Sequence, residues 1–226
     1  MSNAATLAAP TYDFGDELAA SIIHGIGILL SIAGLAIVVA FAAMHADTRA
    51  VVACAIYGST LVLLYTASTL YHSIPGELPK RVLRTFDHIA IFLLIAGTYT
   101  PFTLVAMPGA WGWSLFGTIW ALALGGSVLE LGVLQPALMK HSRKLSVLMY
   151  VGMGWVGMIA FKPLSEHLQT GGMVLLIAGG LAYTLGVPFY LARRMRYHHA
   201  LWHLFVLAGS VLHFLAIVLY VIPDPA

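Results

Sequence analysis

Two histidines four residues apart, His199 and His203, open the last apolar stretch of the sequence. On a helix this spacing stacks the two imidazoles on one face, one turn apart and roughly 6 Å along the axis. Two imidazoles placed in this way can bind one metal ion. Their flanks are almost purely apolar, so we expect the rings at or inside a membrane, where polar side chains are costly. We therefore expect the chain to bring further ligands to this pair.

The composition is that of an integral membrane protein. Of the 226 residues, 60% are hydrophobic and 9% are charged, whereas a soluble domain carries about 25% charged residues. The single cysteine, Cys54, excludes an internal disulfide and a cysteine-rich zinc site. Acidic residues precede the first apolar run where a signal peptide would be basic. We expect membrane lipids as partners and no nucleic acid.

Seven apolar runs are long enough, at about 20 residues, to cross a bilayer as helices. They are approximately Leu18–Met44, Arg49–Tyr71, Val82–Ala106, Trp111–Leu134, Leu145–Phe161, Gly171–Leu191 and His199–Ile222. The fifth run is short and rich in glycine. The sequence thus predicts an all-α, polytopic seven-transmembrane helix bundle over residues 18–222, with a short N-terminal segment, 1–17, and a short C-terminal tail, 223–226.

The basic residues predict the orientation of these helices. With seven spans, the N-terminus shares one side with the second, fourth and sixth loops. That side carries nine of the eleven basic residues, namely Lys80, Arg81, Arg84, Lys140, Arg143, Lys144, Arg193, Arg194 and Arg196. The other side carries only Arg49 and Lys162. Under the positive-inside rule the N-terminus is cytoplasmic and the C-terminus is outside.

Polar residues from three predicted helices fall at one depth, in the cytoplasmic third of the membrane. Span 2 ends with Ser68 and His72, span 3 begins near Asp87, and span 7 begins with His199 and His203. Three histidines and a water make the open tetrahedral site that is typical of catalytic zinc. Copper would be expected to recruit methionine or cysteine, and the methionines are not clustered near these positions. Asp87 could act as a general base or orient the water, and Ser68 could reach the same water or a substrate oxygen.

Weaker candidates and a simpler alternative accompany this set. Glu17 and His24 are seven residues apart, so they share one face of span 1 near the same side, where they could hydrogen-bond to the ligands or form an interfacial pair. The pair at His199 and His203 could also cap its helix or bond to neighbouring helices without a metal. It lacks the glutamate of the H-E-x-x-H motif, so a metalloprotease is not indicated.

At these residues the sequence resembles the hemolysin III family, the bacterial branch of the progestin and adipoQ receptor (PAQR) superfamily. The matching segments are Glu17 to His24-Gly25-x-Gly27, Ser68-x-x-Tyr71-His72, Phe86-Asp87-His88 to Ala96-Gly97-Thr98-Tyr99-Thr100-Pro101-Phe102, and His199-x-x-Trp202-His203-Leu204-Phe205 to His213-Phe214. They span nearly the whole chain. The resemblance implies a seven-helix protein of the inner (cytoplasmic) membrane of a bacterium, with a zinc ion facing the cytoplasm. It places the zinc ligands at His72, His199 and His203, and the family's aspartate and serine at Asp87 and Ser68.

Three functions follow from the residues and the resemblance. The first is a zinc-dependent intramembrane hydrolase of a lipid amide or ester, because the superfamily is grouped with alkaline ceramidases; such an enzyme would act in membrane lipid homeostasis. The second is a pore-forming, haemolytic protein, as the family name suggests, although the predicted polar residues gather at one end of the helices. The third is a receptor-like regulator in which zinc only fastens the helices.

Overall fold

In the part of the chain that the computed structural model describes, seven helical stretches are long and apolar enough to cross a membrane. The structure describes residues 13–107, 109–132, 142–192 and 194–222, and side chains from 145 onward in the third segment. The regular elements of this part of the chain are all helical, so the predicted all-α, seven-span architecture is confirmed. Parts of the sequence prediction lie outside the described residues: 1–12, the last two residues of the fourth run (133–134), Lys140, Arg193, 223–226, and the side chains of Arg143 and Lys144.

The helices follow the predicted apolar runs closely. They are α1 (Phe14–His45), α2 (Thr48–Ser73), α3 (Glu77–Pro101), α4 (Ala110–Glu130), α5 (Ser142–Trp155), α6 (Phe161–His167), α7 (Thr170–Leu191) and α8 (His198–Ala216). Turns of π-helix extend α3 through Phe102–Ala106 and α8 through Ile217–Val221. Backbone N–H and C=O groups inside a lipid bilayer must form their hydrogen bonds within the protein, and continuous helices meet this requirement.

The fifth span differs from the sequence prediction in its extent. A short 3₁₀-helix, Val156–Ala160, joins α5 to α6, and together they form one span, Leu145–His167. The sequence places the end of this span at Phe161, ahead of Pro163. Pro163 instead lies in the first turn of α6, where its missing N–H leaves no hydrogen bond unmade. The span therefore continues for six residues beyond the predicted end.

Helix α1 contacts both helices that carry the histidines of interest. It packs against α2 and against α8, while α2 also packs on α3 and α7 on α8. The close approach of α1 to α2 depends on Gly27, because a Cβ atom there would overlap the ring of Tyr65. That ring is held in place, since its hydroxyl donates to Ser210 Oγ of α8 at 2.8 Å. One packing contact thus joins α1, α2 and α8.

Replacing Gly27 with alanine is expected to destabilise the bundle, whereas the same change at Gly25 is not. A methyl group at position 27 strikes the held ring of Tyr65, and such overpacking costs about 1–3 kcal/mol. A Cβ at Gly25 meets no atom within 4 Å among the described residues. The single cysteine, Cys54, is fully buried, so its labelling by a thiol-reactive dye during heating reports unfolding. Equal unfolding temperatures for the two variants would contradict this account of the packing.

Candidate metal centre

Three imidazoles from distant parts of the chain meet inside the bundle. His72 lies one residue before the end of α2, and His199 and His203 lie in the first two turns of α8. The Nε2 atom of His72 is 3.2 Å from that of His199 and 3.1 Å from that of His203. All three side chains are buried. Within the described residues they form a group, with ligand atoms within 4.8 Å of one another, that could hold a metal ion.

The spacing of these nitrogen atoms suits a shared ion. Around a tetrahedral ion bound at about 2.0–2.1 Å, the ligand nitrogens lie about 3.3 Å apart, which is close to the observed separations. Hydrogen bonds alone fit the arrangement poorly. The Nδ1 atom of His72 faces a carboxylate, so this nitrogen carries the proton and Nε2 offers a single lone pair to two neighbouring rings. A cation can accept a lone pair from each of the three rings.

Glu17 of α1 holds His72 by the ring nitrogen that is turned away from the other histidines. The Oε2 atom of Glu17 accepts from His72 Nδ1 at 3.0 Å and from Lys80 Nζ at 2.6 Å. Lys80 also donates to the backbone oxygen of Tyr71 at 2.9 Å. A carboxylate in this position fixes the tautomer and orientation of a metal-binding histidine. The Lys80–Glu17–His72 chain of contacts therefore ties α1, α2 and α3 to the histidine cluster.

Asp16, the residue next to Glu17, holds the other ligand helix. Its Oδ1 atom accepts from the backbone N–H of Ala200 at 3.0 Å, in the first turn of α8. The residue before α8, Tyr197, has a left-handed backbone (φ 57°) and caps no N–H of the helix with its own side chain in the described structure. A carboxylate at a helix N-terminus satisfies an otherwise unpaired donor and complements the helix dipole. The sequence around α8 does not predict this role of Asp16, because a cap supplied by another helix leaves no local signal.

His24 lies against the cluster from α1. Its ring centroid is 3.7 Å from that of His203 and 5.0 Å from that of Tyr65, both at steep angles. The side chain is buried. His24 therefore supports the position of His203 by packing, whereas Glu17 holds His72 by a hydrogen bond.

Asp87 and Ser68 are buried together beside the histidines. The Ser68 hydroxyl lies next to the Asp87 carboxylate, outside the geometry of a well-formed hydrogen bond, and the carboxylate interacts electrostatically with His72. Asp87 does not belong to the described group of metal-ligand atoms, which holds histidines alone. The Asp87 carboxylate thus lies near the three histidine nitrogens that could hold an ion, but it does not belong to that group of ligand atoms.

A cavity of about 140 Å³ opens beside the cluster. Asp87, His199 and His203 line it, together with His24 and Arg84. Along the helices its walls become largely apolar, formed by residues that include Leu64, Ile91, Leu94 and Val206. A ligand in this cavity could therefore place a polar group at the histidines and a hydrocarbon group among the helices.

Changing Glu17 to glutamine is expected to weaken metal binding without removing a ligand. The amide keeps the size of the side chain but loses the charge that orients His72, and loss of such a partner typically costs 10- to 100-fold in metal affinity. Titration of the purified, metal-stripped protein with a divalent metal ion measures this. Glu77→Gln, at the exposed start of α3, is the matched control. Unchanged affinity in Glu17→Gln would contradict the role given to this carboxylate.

Comparison with known proteins agrees with the motifs read from the sequence. The family model described as Haemolysin-III related matches residues 12–214. The chain is 44% identical over 208 residues to Hemolysin-3 of Bacillus cereus, covering 92% of this chain and 93% of that protein. It is 41% identical over 210 residues to a Hemolysin-3 homolog of Bacillus subtilis (strain 168), covering 93% and 96%.

A more distant similarity reaches beyond bacteria. The chain is 28% identical over 180 residues to the human monocyte to macrophage differentiation factor, covering 75% of this chain and 71% of that protein. The resemblance inferred from the motifs is confirmed, and the chain belongs to the Haemolysin-III related family of multi-pass membrane proteins, the bacterial branch of the PAQR superfamily.

Proposed function

We propose that this protein is a zinc-dependent hydrolase that cleaves an amide or ester bond of a membrane lipid. The observation that carries the proposal is the three-histidine cluster, with Asp87 beside it, at the polar end of a largely apolar cavity. A cavity enclosed by membrane-spanning helices favours a lipid that enters from the bilayer over a polar substrate. Release of a fatty acid from such a lipid would link the protein to membrane lipid homeostasis.

Zinc is the metal that the ligand set favours. Three imidazole nitrogens at tetrahedral spacing leave a fourth position for water or substrate, as in catalytic zinc sites. Magnesium and calcium prefer oxygen ligands. The cluster contains neither the thiolate nor the thioether that softer ions such as copper recruit.

The residues around the cluster have separate roles in the proposed reaction. Zinc, when bound, polarises the substrate carbonyl and makes water a nucleophile near neutral pH. The Asp87 carboxylate accepts the proton of the attacking water and delivers it to the departing amine or alcohol. The Ser68 hydroxyl donates a hydrogen bond to the attacking water or to the substrate oxygen, which holds that group in line. Glu17 and Lys80 keep His72 in the tautomer that binds the ion.

The basic residues support a cytoplasmic position for the site. Lys80, Arg81 and Arg84 lie in the first turns of α3, and Arg194 and Arg196 directly precede α8. The start of α3 follows directly on the end of α2 that carries His72, and α8 carries His199 and His203 in its first two turns. The positive-inside rule puts these ends in the cytoplasm. The proposed location is thus the cytoplasmic (inner) membrane of a bacterium, with the N-terminus inside and the C-terminus outside.

Purified protein is expected to contain about one zinc ion per chain, and loss of any of the three histidines is expected to remove it. The variants His72→Ala, His199→Ala and His203→Ala each delete one ligand, and the remaining two bind zinc weakly. Metal analysis by mass spectrometry gives the zinc content directly. His45→Ala, at the exposed far end of α1, should keep its zinc. A different metal at full occupancy in the wild-type protein would overturn the assignment of zinc.

Asp87→Asn is expected to keep zinc and lose hydrolysis by about 100-fold or more, since general acid–base groups contribute about 10²–10⁴ in rate. Release of fatty acid from ceramide-like and ester lipids in mixed micelles measures the activity. Ser68→Ala should cost less, because it removes only the proposed hydrogen bond to the water or substrate oxygen and leaves the Asp87 carboxylate. Zinc-loaded wild-type protein that hydrolyses neither lipid class would refute the enzymatic proposal.

A structural role for zinc is the second candidate. An ion held by His72 and by the two histidines of α8 joins helices that are far apart in the chain. If this were its whole role, zinc removal would lower the unfolding temperature while the zinc-loaded protein turned over no lipid. The relatives named Hemolysin-3 raise lysis as a further activity, and leakage of dye from liposomes by wild type and by His203→Ala tests it for this chain.

A further inference from the structure

One face of α3 forms a wall of the cavity beside the histidine cluster. Residues of this wall recur every three or four positions along the helix, among them Arg84, Asp87, Ile91 and Leu94. This spacing places them in a row on one side of α3. Starting from the first turns of α3, the wall thus carries a guanidinium group, then the carboxylate beside the histidines, and then apolar side chains.

The guanidinium of Arg84 lies among the residues that line the cavity. Arg84 is the only lysine or arginine among the described residues of the cavity wall. It is partly buried, whereas Arg81, three positions earlier on α3, is exposed. The Arg84 charge interacts electrostatically with Tyr71, Asp87 and Tyr150, and all three line the same cavity. The cation is therefore available to a ligand in the cavity.

Arg84 forms no ion pair, and its guanidinium makes no hydrogen bond, in the part of the chain that the structure describes. Nearby, Glu17 and Glu130 accept hydrogen bonds from other side chains, and Asp87 interacts with Arg84 only over a longer distance. The undescribed residues include one acidic residue, Asp224, which follows the far end of α8. A partly buried cation without a hydrogen-bonded partner is costly, and a guanidinium cannot lose its charge by deprotonation. Arg84 thus offers its N–H donors to an anionic ligand.

The position of Arg84 along α3 indicates which anion it meets. A guanidinium donates two parallel hydrogen bonds to a phosphate or to a carboxylate. Arg84 lies three residues, or about 4.5 Å along the helix, before Asp87, on the side away from the apolar wall. A lipid whose acyl chain follows the apolar wall has its headgroup on that side. The carboxylate released by hydrolysis would instead stay at the histidines, where the scissile bond was.

We propose that Arg84 binds the phosphate of a lipid headgroup and that the cavity therefore selects phosphate-bearing lipids over neutral ones. This inference rests on the proposed function for the position of the scissile bond at the histidine cluster. It narrows the substrate class, because a neutral headgroup leaves the Arg84 cation without a partner. The selection itself is a property of binding and needs no turnover.

Binding of ether-linked lipids to the purified full-length protein in detergent micelles tests the proposal, because ether bonds resist hydrolysis. Radiolabelled di-O-octylglycerol 3-phosphate is displaced by the same lipid without label, by di-O-octylglycerol, by octanoic acid or by inorganic phosphate. The phosphate-bearing lipid is expected to bind about 10- to 100-fold more tightly than each of the others, the gain from hydrogen bonds to a charged group. Equal binding of the two ether lipids, or binding of neither, overturns the proposal. Comparable binding of octanoic acid or of inorganic phosphate overturns the assignment of a lipid phosphate.

The variant Arg84→Gln should abolish the preference for the phosphate-bearing lipid, because the amide remains polar and loses the charge. Arg84→Lys restores the charge without the paired donors and should recover part of the preference. Arg81→Gln, which removes an exposed cation from the same turns of α3, should leave the preference unchanged. Protection of the buried Cys54 from a thiol-reactive dye checks that each variant is folded. A preference that persists in Arg84→Gln, or that falls equally in Arg81→Gln, overturns the role of Arg84.

The outcome for binding is separate from the outcome for hydrolysis. His72→Ala loses a proposed zinc ligand and hence hydrolysis, and it should retain the preference for the phosphate-bearing lipid. A preference lost in His72→Ala and kept in Arg84→Gln would place the phosphate at the metal site and overturn the proposal. Hydrolysis of neutral lipids together with equal binding of the two ether lipids would refute the role of Arg84 and leave the hydrolase standing. Selective binding without any hydrolysis would refute the hydrolase alone.

Discussion

The meeting of three imidazole nitrogens in an apolar interior is the constraint on which the cytoplasmic end of this bundle depends. Polar atoms at membrane depth need partners, and here the partners come from adjacent residues in the first turn of α1. Asp16 holds the N-terminus of α8, and Glu17 holds His72 of α2. Consecutive residues on a helix point about 100° apart, so one turn of α1 can reach both ligand helices. The first turn of α1 therefore helps to hold all three histidines in position.

Packing deeper in the membrane supports this arrangement. The contact of Gly27 with Tyr65, and the bond from Tyr65 to Ser210, fasten α1, α2 and α8 to one another about three turns beyond Glu17. The histidine cluster is thus held at two depths, by the first turn of α1 and by the contact of Gly27 with Tyr65. Such a site keeps its geometry when a ligand enters or leaves, and metal sites and catalytic groups require preorganisation of this kind. These three helices line the cavity together with α3, α5 and α7.

Much of this structure follows from local rules of sequence. Helix length and the direction of each span fix the depth of a residue, which is why His72 could be grouped with His199 and His203 although 127 residues separate the first two. Depth says nothing about rotation of a helix or about which helices are neighbours. The cap from Asp16 to α8, the contact of Lys80 with Glu17, and the pairing of Glu130 with His88 all depend on those two quantities. The roles of Asp87, Ser68, Glu17 and His24 stay predictions, since position alone does not establish chemistry.

The separation of the ligands along the chain also determines when the site can exist during biosynthesis. Glu17, His72 and Lys80 belong to the first three helices, so His72 can be oriented early, as soon as α3 has emerged. Its partners on α8 are made last, and at about 5–20 residues per second the ribosome needs roughly 6–25 s to reach them. An ion that needs all three histidines can therefore bind only after α8 has been made, and a truncated product lacking α8 cannot form the three-histidine group.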